Sequence, residues 1–450
     1  MVDIILIYPF YKRRFDKSPF RFPPLGLGYI ASVLKQNNFS VMILDGTFKG
    51  EKELIDEVKS HRPKIIGIYS MYTSDLESLS IAKKVRNYAD LLVVGGPSPT
   101  VNPVSFLSDF DIVVLGEGEN TMLDVATNSL KDNDIKDING LAIKIGDKVH
   151  YTKKRENIED IDSFPFPARE LFDNDAYKEY HKRLFGQNMT SMISSRGCPF
   201  DCDFCSKPIF ENSFRVRSPV NVVDEMESIY NQDYDAIWFA DDCFTIHRDR
   251  IMRICDEIIS RDLIIKWHCL SRVDSIDSEL TMRMKEAGCQ RIYFGIESGD
   301  DDVLRMIMKK GFDVRTAKRA VFDTKSSNIE TGGFFILGYP GESNESILNT
   351  INFATSLPLD YVSFTLPYPI PGTRLYEKVK HTIKDSKKKK ISILNHELLF
   401  RSNFSEFKLK FAIVKGAIQF RIRKYLGRKG YRILGILFEK ISDRIFKALK

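Results

Sequence analysis

The sequence predicts an α/β protein in three parts: a doubly wound, Rossmann-like parallel sheet, a partial (β/α)6 barrel and a basic helical tail. Three observations carry that reading. Short apolar runs rich in β-branched residues alternate with helical patterns in two successive blocks, the pattern of buried parallel strands joined by crossover helices. A chain of 450 residues exceeds what one ordinary hydrophobic core covers, so more than one domain is expected. The charge is lopsided: from His381 to Lys450 there are 19 Lys and Arg against 5 Asp and Glu, a net +14, while the whole chain carries only +6 and its first 380 residues therefore −8.

The expected boundaries are 1–135 for the first domain, 136–187 for a hairpin and interdomain connector, 188–375 for the barrel and 376–450 for a basic linker and tail. Hydrophobic residues at 43% and charged residues at 28% are those of a soluble globular protein, and no apolar run reaches the length of a membrane span. The N-terminus, Met1-Val2-Asp3, carries an acid where a signal peptide carries a base. Sparse cysteines point to a reducing cytoplasm.

In the first domain the strand candidates are Ile4 to Tyr8, Val41 to Leu44, Lys64 to Tyr69, Leu91 to Val94 and Ile112 to Leu115. Ligands of such sheets sit beyond the carboxyl ends of the strands. The loops to read are therefore Pro9 to Phe22, Asp45 to Gly50, Ser70 to Ser74, Gly95 to Thr100 and Gly116 to Glu119. Their glycines let the backbone approach a flat or phosphate-bearing ligand, and their small hydroxyls can hydrogen-bond its edge. By spacing alone the ligand could be any nucleotide. Gly26-Leu27-Gly28 follows Pro23-Pro24 rather than a strand, so it reads as close packing at a helix start. Gly140 to Thr152 reads as a hairpin turning at Gly146-Asp147, and Phe164-Pro165-Phe166-Pro167 as a domain junction.

The second block has strand candidates at Thr190 to Ser194, Ala236 to Ala240, Ile264 to Ser271, Arg291 to Ile296, Gly332 to Leu337 and Tyr361 to Leu366. Catalytic groups of a (β/α) barrel cluster at the strand carboxyl ends, and polar motifs fall there: Asp241-Asp242, Ser271-Arg272, Gly295-Ile296-Glu297-Ser298 and Gly338-Tyr339-Pro340-Gly341-Glu342. Asp241 or Asp242 reads nearly as well as the cap of a helix before Arg248. His247 and His268 are more often structural than catalytic in such settings, and turn chemistry explains Pro369 to Thr373 as well as a substrate pocket at Tyr368 does.

After the first of these strands comes Ser195-Arg196-Gly197-Cys198-Pro199-Phe200-Asp201-Cys202-Asp203-Phe204-Cys205, three thiols at Cys-x3-Cys-x2-Cys spacing. A structural zinc site or buried thiols are one explanation, but closed zinc sites use four protein ligands and Cys243, Cys255, Cys269 and Cys289 lie apart in apolar patterns. The other is three thiolates on a 4Fe-4S cluster whose fourth iron takes a non-protein ligand, and the missing fourth ligand favours it.

These cysteines, with aromatic Phe204 before the last, resemble the signature of the radical S-adenosylmethionine (AdoMet, SAM) enzymes. The resemblance implies that Cys198, Cys202 and Cys205 hold the cluster and that AdoMet chelates the open iron. It makes Glu297 the ribose contact, Arg272 the carboxylate contact and Ala240-Asp241-Asp242 the segment beside the AdoMet amino group, with Gly338 and Ile336 around adenine. Pro23-Pro24-Leu25-Gly26, Gly95-Gly96-Pro97 and Gly116-Glu117-Gly118-Glu119 in turn resemble the cobalamin-binding domain of the cobalamin-dependent radical AdoMet subfamily. Gly26, Asp45, Thr47, Ser70, Gly95, Gly96, Pro97, Gly116 and Glu117 are then the cobalamin contacts. Many such domains carry Asp-x-His-x-x-Gly; the stretch here is Asp45-Gly46-Thr47-Phe48-Lys49-Gly50, which implies cobalt without a protein histidine. The alternative is a Rossmann-like domain that has lost its ligand.

The implied activity is methyl transfer from AdoMet, through methylcobalamin, to an unactivated carbon. The rivals are radical cyclisation or rearrangement without net methylation, and a non-catalytic corrinoid carrier or sensor. The implied partners are a small-molecule or lipid-like substrate and an external electron donor such as ferredoxin or flavodoxin. In the tail, Lys387 to Lys390 reads as a linker, and Phe407 to Phe420 and Tyr431 to Leu449 as basic helices that either cap the barrel or lie on an anionic membrane surface. No recognition motif accompanies the charge, which argues against nucleic acid.

Overall fold

The structure, a computed structural model, describes residues 2–9, 20–129, 135–207, 209–210, 213–384, 397–430 and 434–449. Most of the loop from Pro9 to Phe22 and the charge run Lys387 to Lys390 lie outside the described residues. The chain forms two compact units, one of Met1–Cys198 and Lys207–Ile237, the other of Pro199–Ser206 and Trp238–Lys450.

In the first unit β1 (Ile4–Tyr8), β2 (Val41–Asp45), β3 (Ile65–Tyr69), β4 (Leu91–Gly95) and β5 (Ile112–Val114) stand in the order 2-1-3-4-5 and pair in parallel. These strands are near-continuous aliphatic runs because both faces are covered. Helices Leu25–Gln36 and Glu119–Ser129 contribute Leu27, Leu34, Met122 and Val125 to one core, and helices Glu51–His61 and Asp75–Val85 contribute Leu54, Val58, Ile81 and Val85 to the other. The hairpin forms at the expected place, as β6 (Leu141–Ile145) and β7 (Lys148–Tyr151), and joins this sheet antiparallel to β5. The sheet is thus mixed and seven-stranded rather than wholly parallel.

Then come β8 (Met189–Met192) and the antiparallel pair β9 (Ser195–Gly197) and β10 (Phe214–Val216). A further sheet, ordered 15-14-13-12-11-8, contains β8 with β11 (Ala236–Phe239), β12 (Lys266–Ser271), β13 (Cys289–Glu297), β14 (Glu330–Ile336) and β15 (Tyr361–Thr365). All six expected strands form, and β12 to β15 are parallel neighbours in sequence order. Several connecting helices start where a side chain closes an open backbone N–H: Asp277, Asp313 and Ser343 cap the helices beginning at Ser278, Val314 and Asn344. One expected cap fails. The helix Arg248–Ser260 is preceded by His247 with no side-chain cap, so neither Asp241 nor Asp242 serves it.

The tail is helical, as Glu406–Gly430 and Ile436–Ala448. Among the described residues, no helix is long and apolar enough to cross a membrane.

Candidate cofactor sites in the two units

In the first unit a cavity of about 320 Å³ opens over the carboxyl ends of β1, β3, β4 and β5. A 2-1-3-4-5 sheet places its ligand crevice at this edge. Gly26, Gly95, Gly96, Pro97, Gly116 and Glu117 all line it, six of the nine contacts that the resemblance implies. Two of these glycines differ in what surrounds them. A Cβ on Gly96, where φ is +118°, would stand 2.4 Å from the Ser70 carbonyl oxygen. A Cβ on Gly26 would meet nothing within 4 Å. Gly28 differs: its Cβ would lie 2.9 Å from Pro167 Cβ, which is the close packing expected at this helix start.

The other three candidates are not in the cavity wall. Asp45 accepts hydrogen bonds from Thr47 N (2.9 Å) and Tyr177 Oη (2.6 Å), and Tyr177 Oη lies 3.0 Å from Thr47 Oγ1. Burial raises the Asp45 carboxyl above its ordinary pKa. Ser70 donates to Asp75 (2.7 Å), which also accepts from Ser98 (2.6 Å).

Glu117 lines the cavity with both oxygens committed. Oε1 accepts from Arg196 (2.6 Å), and Oε2 from Arg215 (2.9 Å) and Ile158 N (3.0 Å). Burial alone would raise this carboxyl; Arg215 and Arg196 reverse that and hold it below its ordinary value. The second arm of Arg196 reaches Glu119 at 2.6 Å, and its guanidinium carbon lies 5.4 Å from the ring centres of both Tyr29 and Phe164. Sequence reasoning missed this network. Arg196 stood in the singled-out stretch, but nothing in one dimension pairs it with residues some 80 positions earlier.

Cys198 ends the first stretch of the first unit and is buried; Cys202 is half-buried and Cys205 exposed in the second. None of the three is in a disulfide. Among the described residues, no three His, Cys, Asp or Glu side chains stand together as a ready-made metal site.

In the second unit, Phe204, Arg272 and Glu297 converge on a residue the sequence did not flag, Lys310. Its ammonium lies 3.4 Å from Glu297 Oε1 and 5.5 Å from the Phe204 ring centre, while its carbonyl accepts from Arg272 Nη2 at 2.6 Å. Arg272 is also forked onto Asp274 (2.9 and 2.7 Å), stacked 3.7 Å from the Phe200 ring centre, and directs Nη1 at Cys202 Sγ, 3.9 Å away. Glu297 sits at a register shift in β13 with φ +70°, a conformation that glutamate adopts only under constraint. Burial raises its pKa.

Asp203 anchors the segment between Cys202 and Cys205. Its Oδ2 accepts from Tyr339 Oη (2.7 Å) and Lys378 Nζ (2.6 Å), and its Oδ1 is buried with no partner among the described residues. Gly338 has φ +85°, and the space its Cβ would take is filled by Leu409 at 2.5 Å, so its lack of a side chain serves the tail helix. Gly338 N and Tyr339 N both donate to buried Glu342 (2.8 and 2.7 Å). Asp241 is buried just beyond β11. His247 is exposed, and buried His268 has its Nε2 3.1 Å from Gln290.

The Radical SAM superfamily profile matches residues 192–354, and the B12 binding domain profile matches residues 12–126. A Pyrococcus horikoshii protein named as an uncharacterized methyltransferase is 35% identical over 79% of this chain and 78% of its own. An anaerobic magnesium-protoporphyrin IX monomethyl ester cyclase of Rubrivivax gelatinosus is 29% identical over 84% of this chain and 70% of its own. Two solved structures share the fold. The radical AdoMet methyltransferase TsrM of Kitasatospora setae superposes with a TM-score of 0.72 at 20% identity, covering 85% of this chain and 75% of that one. The cobalamin-dependent AdoMet radical enzyme OxsB does so at 0.76 and 17%, covering 99% and 72%. The chain therefore belongs to the cobalamin-binding branch of the radical SAM superfamily, as a methyltransferase-like enzyme whose cofactors are a 4Fe-4S cluster, AdoMet and cobalamin.

Proposed function

We propose that this enzyme transfers a methyl group from AdoMet to an unactivated carbon of a small-molecule substrate. The observation that carries the reading is the glycine-edged cavity at the strand carboxyl ends of the first unit. It suits a large flat ligand: Gly26, Gly95, Gly96 and Gly116 keep side chains out of its rim, its wall is largely aliphatic, and no histidine lines it among the described residues. Cys198, Cys202 and Cys205, none of them in a disulfide, supply the thiolates an iron–sulfur cluster takes as ligands. When bound, the corrinoid would carry the methyl group and the cluster would supply the electron that cleaves AdoMet.

The chain's own residues position these groups. Glu297 presents a carboxylate able to accept from both ribose hydroxyls, with Lys310 balancing its charge. Arg272, fixed by Asp274, keeps one donor toward Cys202 and stabilises negative charge on that sulfur. Phe204 and Tyr339 stand 6.4 Å apart, centre to centre, and shield this region from water. Reduction calls for an external donor of the ferredoxin or flavodoxin type.

The test is anaerobic turnover of the reduced, reconstituted protein with methyl-deuterated AdoMet and a small-molecule extract of its host. A product heavier by one labelled methyl group, with S-adenosylhomocysteine and 5′-deoxyadenosine formed together, supports the proposal. The cyclase relative favours a second reading, cyclisation without net methylation. Substrate-dependent 5′-deoxyadenosine with no labelled product would select it and overturn methyl transfer.

A further inference from the structure

We propose that the tail hairpin seats this enzyme on an anionic lipid surface. Each helix of the hairpin spends one face on the protein. Leu409 and Ala412 are buried, and a Cβ on Gly416 would stand 2.7 Å from Phe364 of β15. Gln419 donates to Asn352 (2.9 Å) and Thr355 (3.0 Å) of the helix Asn344–Ser356. The two tail helices run antiparallel: Lys408 Nζ meets the Leu449 carbonyl (2.7 Å), Lys415 meets Asp443 (2.9 Å) and Gln419 meets Glu439 (2.8 Å). The hairpin is thus a cap on its unit.

The opposite faces are the anomaly. Phe407, Val414, Ile418 and Tyr425 are all exposed, and Phe407 and Tyr425 are 68% and 75% open to solvent. At 100° per residue they fall within an arc of about 40°, a single stripe along the helix. The second helix repeats the arrangement with exposed Leu437, Ile441 and Ile445. A surface helix ordinarily turns polar residues outward, so two outward apolar stripes call for a partner.

Charge says which partner. The acids of these helices are engaged, Glu406 by Lys410 (2.8 Å), Asp443 by Lys415 and Glu439 by Gln419. Arg421, Lys440, Arg444 and Lys447 lie exposed or nearly so beside the stripes, and the region from His381 onward carries the net +14 noted above. A second copy would bring the same positive face and be repelled, and nucleic acid has no use for an aliphatic stripe. An anionic bilayer surface uses both features, taking the apolar residues into its headgroup boundary while its phosphates face the Lys and Arg. With no helix among the described residues able to span, the hairpin would lie on the membrane.

The full-length protein is sedimented with vesicles of phosphatidylcholine alone or mixed equally with phosphatidylglycerol. Binding to the anionic vesicles only, weakened by added salt, is expected. Val414→Asn with Ile418→Asn, and separately Arg444→Glu with Lys447→Glu, should each lower the partition coefficient about tenfold. Unchanged circular dichroism and AdoMet cleavage in the variants confirm that the rest of the chain stays folded. Failure to bind anionic vesicles, binding indifferent to the stripe variants, or a stripe-dependent dimer in sedimentation velocity would each overturn the proposal.

Discussion

Arg196 divides its guanidinium between two carboxylates, Nη1 on Glu117 and Nη2 on Glu119, each at 2.6 Å, two residues before Cys198. Glu117 and Glu119 start from the loop at the end of β5, and Arg196 sits in β9 opposite Arg215 of β10. The floor of the cavity and the strand leading to the first cysteine are thereby one buried ionic structure. Arg215 shares Glu117, and the two enclosed carboxylates are bridged by Arg196.

Removing that residue should be costly. Arg196→Met leaves Glu119 without its arginine partner in a buried setting, and truncating one partner of such a pair costs about 3–5 kcal/mol. A lower thermal midpoint and weaker cobalamin retention are expected. Arg196→Lys should fall between, since an ammonium cannot fork onto two carboxylates. Adding Glu119→Gln to Arg196→Met should restore part of the loss. A single variant as stable as the parent would contradict the assignment.

Asp203 makes a different prediction because its role is to position the thiols beside it. Cys198→Ala, Cys202→Ala and Cys205→Ala should each abolish bound iron, whereas Cys243→Ala and Cys255→Ala, which alter buried core thiols, should not. Asp203→Ala removes the acceptor of both Tyr339 and Lys378 and should lower iron per chain while leaving some cluster, with Asp203→Asn close to the parent. Iron analysis and the visible absorption of the reconstituted protein report this. Full occupancy in Asp203→Ala would show that the loop needs no such anchor.

The contrast between Lys310 and the cysteines shows what one sequence can reveal. The thiols share a short stretch whose spacing carries chemistry, and the strands announced themselves as aliphatic runs because they are covered on both faces. Lys310 is 13 residues from Glu297, beyond the π-helical turn Val303–Ile307, and no periodicity links the two. Asp45 and Thr47 illustrate the reverse. They stand at a strand carboxyl end as expected, yet Tyr177, 130 residues away from Thr47, occupies their polar atoms. Gly338 stands at a strand carboxyl end as expected, but its closure by Leu409 was not legible. Loop position was readable; long-range side-chain partnership was not.

Glu342 gives a pH prediction. Burial pushes its carboxyl up to about 8, against the lowering effect of the Tyr339 and Gly338 N–H groups. With the folded pKa above the unfolded one, the folded state holds the extra proton between them. Stability should therefore be greatest below the ordinary carboxylate range and decline toward pH 8, by at most about 1.4 kcal/mol per pH unit from this group. Glu342→Gln should flatten that slope in denaturant titrations run across the window. A parent and variant with parallel pH profiles would show that the group does not titrate there.

The last prediction concerns cobalt. Among the described residues no histidine lines the cavity, and Thr47, standing where many cobalamin domains place one, is outside that wall and bonded to Tyr177. His181, in the same unit, is buried with its Nε2 2.7 Å from the Arg21 carbonyl, and its ring stacks on Phe22 at 4.7 Å. Burial lowers its pKa, and the Arg21 carbonyl and the Phe22 ring hold the side chain in this packed position. Bound cobalamin should accordingly have no protein nitrogen below its cobalt. Electron paramagnetic resonance of the cob(II)alamin-loaded protein reads this directly, because a coordinated nitrogen splits the cobalt lines. Spectra without that splitting, unchanged in protein grown on nitrogen-15, are expected. A splitting that changes with the isotope would place a protein nitrogen on the metal and overturn the reading of Thr47.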